Sequence, residues 1–234
     1  MRLLLISNST NAGEQYLQHP KQQIADFLQG IHKVLFLPFA AVTFTYEEYE
    51  QKVQQRFSEF NIEVNSIHRF LSQQDAVKNA EAIVIGGGNT FQLLKMMYQN
   101  NLLEVISERV KKGIPYVGWS AGANVACPTI RTTNDMPVVE PPGFGALNLL
   151  PFQINPHYLD AHPEGHAGET REQRILEFLE LNPDIYVVGL REGTMLLIEN
   201  GKIELTGPRP ARVFKKGMSA LEKNPGDDFD FLLG

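Results

Sequence analysis

Short apolar runs alternate with amphipathic segments along most of the chain. Runs of about four to eight aliphatic and β-branched residues are typical of buried strands, whereas apolar residues three or four positions apart are typical of one helix face. Tyr49, Val53, Phe57 and Phe60 have that helical spacing. The pattern predicts strands at residues 3–7, 34–38, 62–67, 82–85, 114–118 and 185–189. It predicts helices at 14–29, 46–60, 73–80, 170–181, and at 91–98 and 103–112 as one broken helix or two consecutive helices.

Strands that alternate with helices in this way indicate an α/β fold, a doubly wound and mostly parallel sheet with helices on both faces. In such sheets, ligands bind at the carboxyl ends of the strands. The Asn200-Gly201 pair between two apolar runs predicts a C-terminal β-hairpin. Residues 1–234 are expected to form one domain, and residues 229–234 a loosely held tail.

The stretch from residue 128 to 158 breaks the pattern, because it contains six prolines and little periodicity. Long irregular segments inside compact domains usually carry function. Whether this segment opens and closes over a site is a question that the pattern leaves open.

Composition and charge narrow the classes of function. Charged residues are 21% of the chain and mean hydropathy is −0.20, as in a soluble globular protein. No apolar run approaches the ~20 residues of a membrane span, and polar residues 7–10 interrupt the first run before a signal peptide could form, so a cytoplasmic location is expected. The single cysteine, Cys127, excludes an intrachain disulfide and a cysteine-based metal site. A net charge of −6 without a basic stripe argues against a nucleic-acid partner and favours a small-molecule or peptide substrate.

A G-x-S-x-G motif, Gly118-Trp119-Ser120-Ala121-Gly122, joins a predicted strand to a helix-compatible segment. This is the setting of a nucleophile elbow, a sharp turn that presents the serine hydroxyl above the sheet. The N–H of Ala121 then begins a helix and points to where a tetrahedral oxyanion forms. The motif also occurs as an ordinary tight turn, so other residues must decide between the two.

A second glycine-rich loop, Gly86-Gly87-Gly88-Asn89-Thr90, also follows a predicted buried strand and begins a helix. It lacks the lysine of a phosphate-binding P-loop and the spacing of a dinucleotide-binding motif. An oxyanion-hole loop that donates the Gly88 N–H is the favoured interpretation, since both loops leave one sheet edge. A non-catalytic anion- or nucleotide-binding module and a plain tight turn are the alternatives.

A serine nucleophile requires a general base, and three of the six histidines lie after Ser120. They are His157, stiffened by its neighbour Pro156, and the pair His162 and His166. The pair suggests a metal site, but the proline and glycine between its members oppose the helix that would align them, and no metal is expected.

A carboxylate must hold the imidazole in the correct tautomer. Asp135 lies in the irregular segment, and Glu192 follows the predicted strand 185–189. Glu192 is slightly preferred, because its position lies at the carboxyl edge of the sheet. Either residue is also compatible with an ordinary surface acid.

Five longer motifs, in order and at compatible spacing, together resemble the peptidase E family of α-aspartyl dipeptidases. They are GGGNTFQLL (86–94), GWSAGAN (118–124), PTIRTTNDMP (128–137), QINPH (153–157) and GETREQRI (168–175). The resemblance implies a flavodoxin-like fold similar to class I glutamine amidotransferases, with serine in place of their cysteine. It implies hydrolysis of Asp-X dipeptides with a free N-terminal aspartate, without metal or cofactor. Monomer or homodimer stays undetermined.

Carried over to this sequence, the resemblance implies that Ser120 is the nucleophile and His157 the base. It allows either Asp135 or Glu192 as the third member, because both residues are present. The resemblance therefore does not choose between the two acids.

The aspartate side chain of such a substrate needs a cationic partner, ideally a planar guanidinium that meets a carboxylate with two hydrogen bonds. Arg131 is the first candidate and Arg171 the second, since both lie in segments near the expected site. Asn89, next to Gly88, is a further candidate substrate ligand.

Two other hydrolase classes share parts of the pattern. An esterase or lipase of the α/β-hydrolase kind shares the elbow, although no apolar lid helix is evident. A related peptidase that cleaves a polymer with aspartate-linked side chains is the other alternative, and it would require an open pocket.

Overall fold

The computed structural model describes residues 1–160 and 168–234 and contains two β-sheets with helices packed around them. The strands are β1 (Leu3–Ile6), β2 (Lys33–Leu37), β3 (Glu63–Ser66), β4 (Ile83–Ile85), β5 (Tyr116–Trp119), β6 (Gln153–Tyr158), β7 (Val187–Arg191), β8 (Met195–Glu199), β9 (Lys202–Thr206), β10 (Ala211–Phe214) and β11 (Leu221–Lys223). The α-helices are α1 (Lys21–Phe27), α2 (Tyr46–Phe57), α3 (Gln73–Lys78), α4 (Thr90–Gln99), α5 (Leu103–Lys111), α6 (Ala121–Asn124) and α7 (Arg171–Leu181).

The larger sheet has seven strands in the order β3-β2-β4-β5-β1-β8-β9. Its first five members run parallel, which confirms the predicted doubly wound, mostly parallel α/β sheet. The register pairs Ile85 of β4 with Gly118 of β5, and Ile6 of β1 with Trp119. The loops that leave β1, β4 and β5 therefore emerge side by side at one edge.

The predicted hairpin is present as β8 and β9, which extend the larger sheet by antiparallel pairing with β1. Asn200 and Gly201 have φ values of 52° and 74°, the left-handed conformation that a two-residue turn of this type requires. The helix predicted at 14–29 starts only at Lys21, because the chain turns until Pro20, whose ring favours the first turn of a helix.

A second, four-stranded sheet in the order β11-β10-β7-β6 was not predicted. Its strand β6, QINPHY, lies in the segment that the sequence indicated to be irregular. Polar and less polar residues alternate in it, but a proline inside a run argues against a strand unless the strand lies at an edge, as β6 does. The polar side chains are buried with partners: Gln153 Nε2 donates to Thr129 O at 2.9 Å, and Asn155 Nδ2 donates to Thr132 O at 2.8 Å. These hydrogen bonds act beside the burial of Ile154 and Tyr158 in stabilising the strand.

One hydrophobic cluster includes residues of both sheets, among them Leu3, Ile154 and Val213. On this ground we propose that residues 1–234 form one domain. The expected loose tail is wrong, since Phe229 is buried and the Asp230 carboxylate accepts a hydrogen bond from the Ile203 N–H at 2.8 Å. None of the helices in the described part of the chain has the length and apolarity that a bilayer span requires.

Glycines let α6 lie directly against the end of β4. A Cβ on Gly122 would stand 2.1 Å from the Ile85 carbonyl oxygen, and one on Gly118 would stand 2.4 Å from the Gly122 carbonyl oxygen. Both obstacles are backbone atoms, which rotation of a side chain cannot relieve. The elbow is therefore placed over the sheet by close backbone packing.

We expect Gly122→Ala to destabilise the protein by about 1–3 kcal/mol, the usual cost of overpacking, although alanine favours helices. Urea-induced unfolding measures the difference. Gly143→Ala is the control, because its Cβ would have no neighbour closer than the Tyr98 hydroxyl at 3.7 Å. Equal midpoints for Gly122→Ala and the unaltered protein would contradict the packing described here.

Candidate active site

Ser120 lies in the sharp turn between β5 and α6, as predicted for an elbow. Its backbone has φ 54° and ψ −111°, a strained conformation for a residue other than glycine. The Ser120 N–H donates to the Ile6 carbonyl at 3.0 Å, so the end of β1 holds the turn. The side chain projects from the carboxyl edge of the larger sheet.

His157 lies in β6 at a register shift between Pro156 and Tyr158, and it also has a positive φ of 53°. Its Nε2 is 2.9 Å from Ser120 Oγ, and its Nδ1 is 2.7 Å from Glu192 Oε1. Because a carboxylate accepts hydrogen bonds, the neutral tautomer that fits this arrangement carries its proton on Nδ1 and accepts from the serine hydroxyl at Nε2. The three groups form one hydrogen-bonded chain.

Glu192 directly follows β7, which pairs in parallel with β6. The carboxyl ends of these two strands meet, and this brings Glu192 beside His157. The side chains of His157 and Glu192 are 38% and 39% exposed, so a small solute can reach the hydrogen-bonded chain.

Ser7 holds this arrangement together, and the sequence analysis did not single it out. Its buried Oγ accepts from the His157 N–H at 2.9 Å and donates to the Leu190 carbonyl at 2.7 Å. A polar residue directly after the buried run of β1, at the carboxyl edge of the sheet, is the signal that could have identified it.

Asp135, the other candidate for holding the imidazole, lies at the start of α4 instead. Its carboxylate accepts from the Thr90 N–H at 2.7 Å and from the Thr90 hydroxyl at 2.5 Å. No hydrogen bond joins it to His157 among the contacts of the described chain. A carboxylate at a helix N-terminus stabilises that helix, and here it also fastens the loop 133–137 to α4.

Asn89 is the N-cap of α4, where its side-chain oxygen accepts from the Gln92 N–H at 3.0 Å. Its Nδ2 donates to the Met136 carbonyl at 2.8 Å. Both ends of the amide side chain thus hold the loop and the helix together, which is a structural contact in this arrangement.

The N–H groups of Gly88 and Ala121 donate to no acceptor within residues 1–160 and 168–234. Gly87 brings the two loops together, because a Cβ on it would stand 2.9 Å from the Ser120 Cβ. Two donors without a described partner, one from each loop, are what an oxyanion hole requires.

The two candidate arginines lie in different surroundings. Arg131 is exposed, with its guanidinium 5.4 Å from the centre of the Phe178 ring. Arg171 begins α7, and its Nη1 donates to Asn134 Oδ1 at 2.6 Å. Asn134 in turn donates to the Pro156 carbonyl at 2.6 Å, so only Arg171 is linked by hydrogen bonds to the backbone next to His157.

Burial lowers the pKa of the Arg171 guanidinium from its ordinary value, with the nearby Arg174 adding to the effect. Arginine nevertheless stays charged at any pH compatible with folding. Among the described residues, no carboxylate lies within ion-pair distance of the half-buried Arg171, and Asp135 is the one carboxylate whose charge raises its pKa.

His162 and His166, weighed above as a metal-binding pair, lie outside the described residues. Over residues 1–160 and 168–234, no three histidine, cysteine, aspartate or glutamate side chains are grouped so that they could hold a metal ion.

Comparison with known proteins identifies the family of the chain. Residues 3–206 match the family model described as peptidase family S51. The chain belongs to peptidase family S51. As an S51 member it is a serine peptidase and hence a hydrolase, and the resemblance noted in the sequence is confirmed.

Two curated relatives are each named peptidase E. The chain is 54% identical to the protein of Nostoc sp. over 233 residues, which cover 99% of this chain and 96% of the relative. It is 50% identical to the protein of Salmonella arizonae over 229 residues, which cover 98% of this chain and 100% of the relative. The crystal structure of a peptidase from an acI-B1 Actinobacterium has the same fold, with a TM-score of 0.71 at 17% identity over 97% of this chain and 96% of that one.

An ionic network braces the ends of β6 and β7 in this S51 peptidase. Arg191, the last residue of β7, donates to both oxygens of Asp160 at 2.6 and 2.7 Å. It also donates to both oxygens of Glu222 in β11 at 2.9 and 2.8 Å. Because Arg191 precedes Glu192, and Asp160 lies three residues after His157, the network stabilises the segments that carry both side chains.

The hydrogen bonds from Arg191 hold the pKa of Asp160 below its ordinary value. A carboxyl group whose pKa is lower in the folded state stabilises the fold above its unfolded pKa, and this stabilisation is lost as the pH falls through the folded pKa.

We expect Asp160→Asn in this S51 peptidase to lower the free energy of unfolding at pH 7. The difference in this free energy between the variant and the unaltered protein is expected to narrow as the pH falls below about 4, the unfolded pKa of aspartate. Urea unfolding at pH 7 and pH 3 measures both gaps. Asp184→Asn is the control, because that side chain makes no hydrogen bond or ion pair with the described residues. A gap independent of pH would exclude the ionic origin.

Proposed function

We propose that this S51 member is an α-aspartyl dipeptidase, a serine peptidase that hydrolyses Asp-X dipeptides with a free N-terminal aspartate through an acyl-enzyme on Ser120. The hydrogen-bonded chain Ser120–His157–Glu192 is the observation that carries the proposal. The relatives named peptidase E, about half identical over nearly the whole chain, support the same activity.

In the first step Ser120 Oγ attacks the carbonyl carbon of the aspartyl residue while its proton passes to His157 Nε2. The positive charge that forms on the imidazole is stabilised by Glu192, which accepts the hydrogen bond from Nδ1. The tetrahedral intermediate collapses, the C–N bond breaks, and the leaving amine of residue X takes the proton from Nε2.

In the second step water attacks the acyl-enzyme. His157 removes the proton from the water and returns it to Ser120 Oγ as the ester bond breaks, so that aspartate leaves and the enzyme is restored. The negative oxygen of both tetrahedral intermediates lies between the N–H groups of Gly88 and Ala121. The N-terminus of α6 adds little beyond its first N–H, since that helix is only four residues long.

Arg171 is our choice for binding the carboxylate of the substrate aspartate. Its charge is half-buried, and a hydrogen-bonded path through Asn134 connects it with the backbone beside His157. A guanidinium pairs with a carboxylate through two hydrogen bonds, and the side chain of a substrate aspartate offers that geometry to Arg171. Arg131, the first candidate from sequence, is exposed and packs on Phe178 instead.

We expect Glu192→Gln to lower kcat by about 10³- to 10⁴-fold, because glutamine does not stabilise the imidazolium and favours the wrong tautomer. Asp135→Asn is expected to stay within about tenfold of the unaltered enzyme, since asparagine still offers an oxygen to Thr90. Steady-state hydrolysis of Asp-Leu measures both values. Should neither change exceed about tenfold, Glu192 does not act as proposed.

We expect Arg171→Ala to lower kcat/KM for Asp-Leu by about 10- to 100-fold relative to Ala-Leu, as the loss of a charge-assisted hydrogen-bonded pair predicts. Competition between the two dipeptides gives the ratio directly. Arg131→Ala is the control and is expected to keep the preference for Asp-Leu. If Arg131→Ala abolishes the preference and Arg171→Ala does not, the assignment must be exchanged.

A further inference from the structure

Tyr49 is a buried tyrosine beneath the glycine-rich loop, and the proposed chemistry does not use it. It lies on α2 with 4% of its surface exposed. Its hydroxyl is 2.9 Å from the Gly87 carbonyl oxygen, 3.1 Å from Trp119 Nε1 and 3.4 Å from the Tyr16 hydroxyl. The phenol thus joins the residue before Ser120 to the residue before Gly88.

The direction of these hydrogen bonds follows from the groups themselves. An indole N–H only donates, so the Tyr49 oxygen accepts from Trp119. A carbonyl oxygen only accepts, so the single proton of Tyr49 goes to Gly87. Burial raises the pKa of Tyr49 to about 12, so the hydroxyl keeps this proton at neutral pH.

The bond to Gly87 controls the direction of the neighbouring N–H. The Gly87 carbonyl and the Gly88 N–H belong to one planar trans peptide unit, in which the two groups point in opposite directions. A unit between two glycines rotates easily, because neither residue has a Cβ to restrict its dihedral angles. Holding the carbonyl on one side therefore aims the N–H to the other.

Steric contacts agree with this role. A Cβ on Gly86 would stand 2.4 Å from the Tyr49 hydroxyl oxygen, so glycine at this position is what permits the phenol to reach the loop. A Cβ on Gly88 would stand 2.3 Å from the Ala40 carbonyl oxygen, so glycine at this position is what permits the loop to pack against the backbone of Ala40. A hydrogen bond to the carbonyl also polarises the peptide and strengthens its N–H as a donor.

We propose that Tyr49 is a positioning residue for the oxyanion hole: its hydroxyl, oriented by Trp119, fixes the Gly87–Gly88 peptide so that the Gly88 N–H faces the oxygen of the tetrahedral intermediate. This inference rests on the proposed function, in which Gly88 is one of the two donors. Tyr49 itself touches neither substrate nor reacting atoms.

The test is Tyr49→Phe, which keeps the ring and its edge-to-face contacts with Phe36 and Phe44 at 5.0 and 5.1 Å. We expect kcat for Asp-Leu to fall about tenfold, a part of the about 10²- to 10³-fold loss that follows removal of a whole donor. KM is expected to stay the same. Affinity for the α-aminoboronic acid analogue of aspartate, whose adduct with serine is tetrahedral, should fall by the same factor as kcat.

Tyr16→Phe is the matched control, since it removes a buried hydroxyl from the same cluster without touching Gly87. We expect it to leave kcat and boronate affinity unchanged. Equal losses of kcat in both variants, or a rise in KM at unchanged kcat, would overturn the positioning role. Ser120→Ala distinguishes failure of the proposed function from failure of the role of Tyr49. If Ser120→Ala retains activity, the proposed function is wrong. If Ser120→Ala is inactive and Tyr49→Phe is fully active, only the role of Tyr49 is wrong.

Should Tyr49→Phe fail to fold, site-specific incorporation of 3-fluorotyrosine at position 49 replaces it. The hydroxyl stays and becomes a stronger donor to the Gly87 carbonyl, so kcat is expected to rise, while the same replacement at position 16 leaves kcat unchanged. No increase at position 49 in the folded protein would count against the proposal.

Discussion

Two consecutive residues at the end of β1 hold together the hydrogen-bonded chain of Ser120, His157 and Glu192. The Ile6 carbonyl accepts the N–H of Ser120, and the Ser7 hydroxyl accepts the N–H of His157 while it donates to Leu190, two residues before Glu192. The elbow belongs to the larger sheet, whereas the histidine and the glutamate belong to the smaller one. Together with the hydrophobic cluster that the two sheets share, this junction holds His157 beside Ser120, with Nε2 2.9 Å from Oγ.

The parts of the site that the sequence predicted are those with local signals. A serine between small residues after an apolar strand indicates an elbow, and Asn200-Gly201 between apolar runs indicates a hairpin, because each signal lies within a few residues. The smaller sheet could not be predicted in this way. Strand β6 contains a proline, and its polar side chains are hydrogen-bonded to Thr129 and Thr132. These partners are 24 and 23 positions away in the sequence, so the local pattern does not show them.

The choice between Asp135 and Glu192 shows the same limit. Both are acids near the carboxyl edge, and only the pairing of β6 with β7 brings one of them to His157. Asp135 is required elsewhere, at the N-terminus of α4. The glycine-rich loop is a similar case, because the sequence does not show that each of its three glycines makes room for a different part of the protein itself, namely Tyr49, Ser120 and Ala40.

The Ser7 junction also has a consequence for biosynthesis. Ser7 is translated early, but its hydroxyl bonds to His157 and Leu190, which are 150 and 183 positions later in the chain. Contacts of such sequence separation form slowly, because the loop entropy is lost before the contact stabilises anything. A nascent chain on the ribosome can therefore complete the elbow and its neighbouring parallel strands while the enzyme is still inactive, and peptide hydrolysis begins only after most of the polypeptide has been translated.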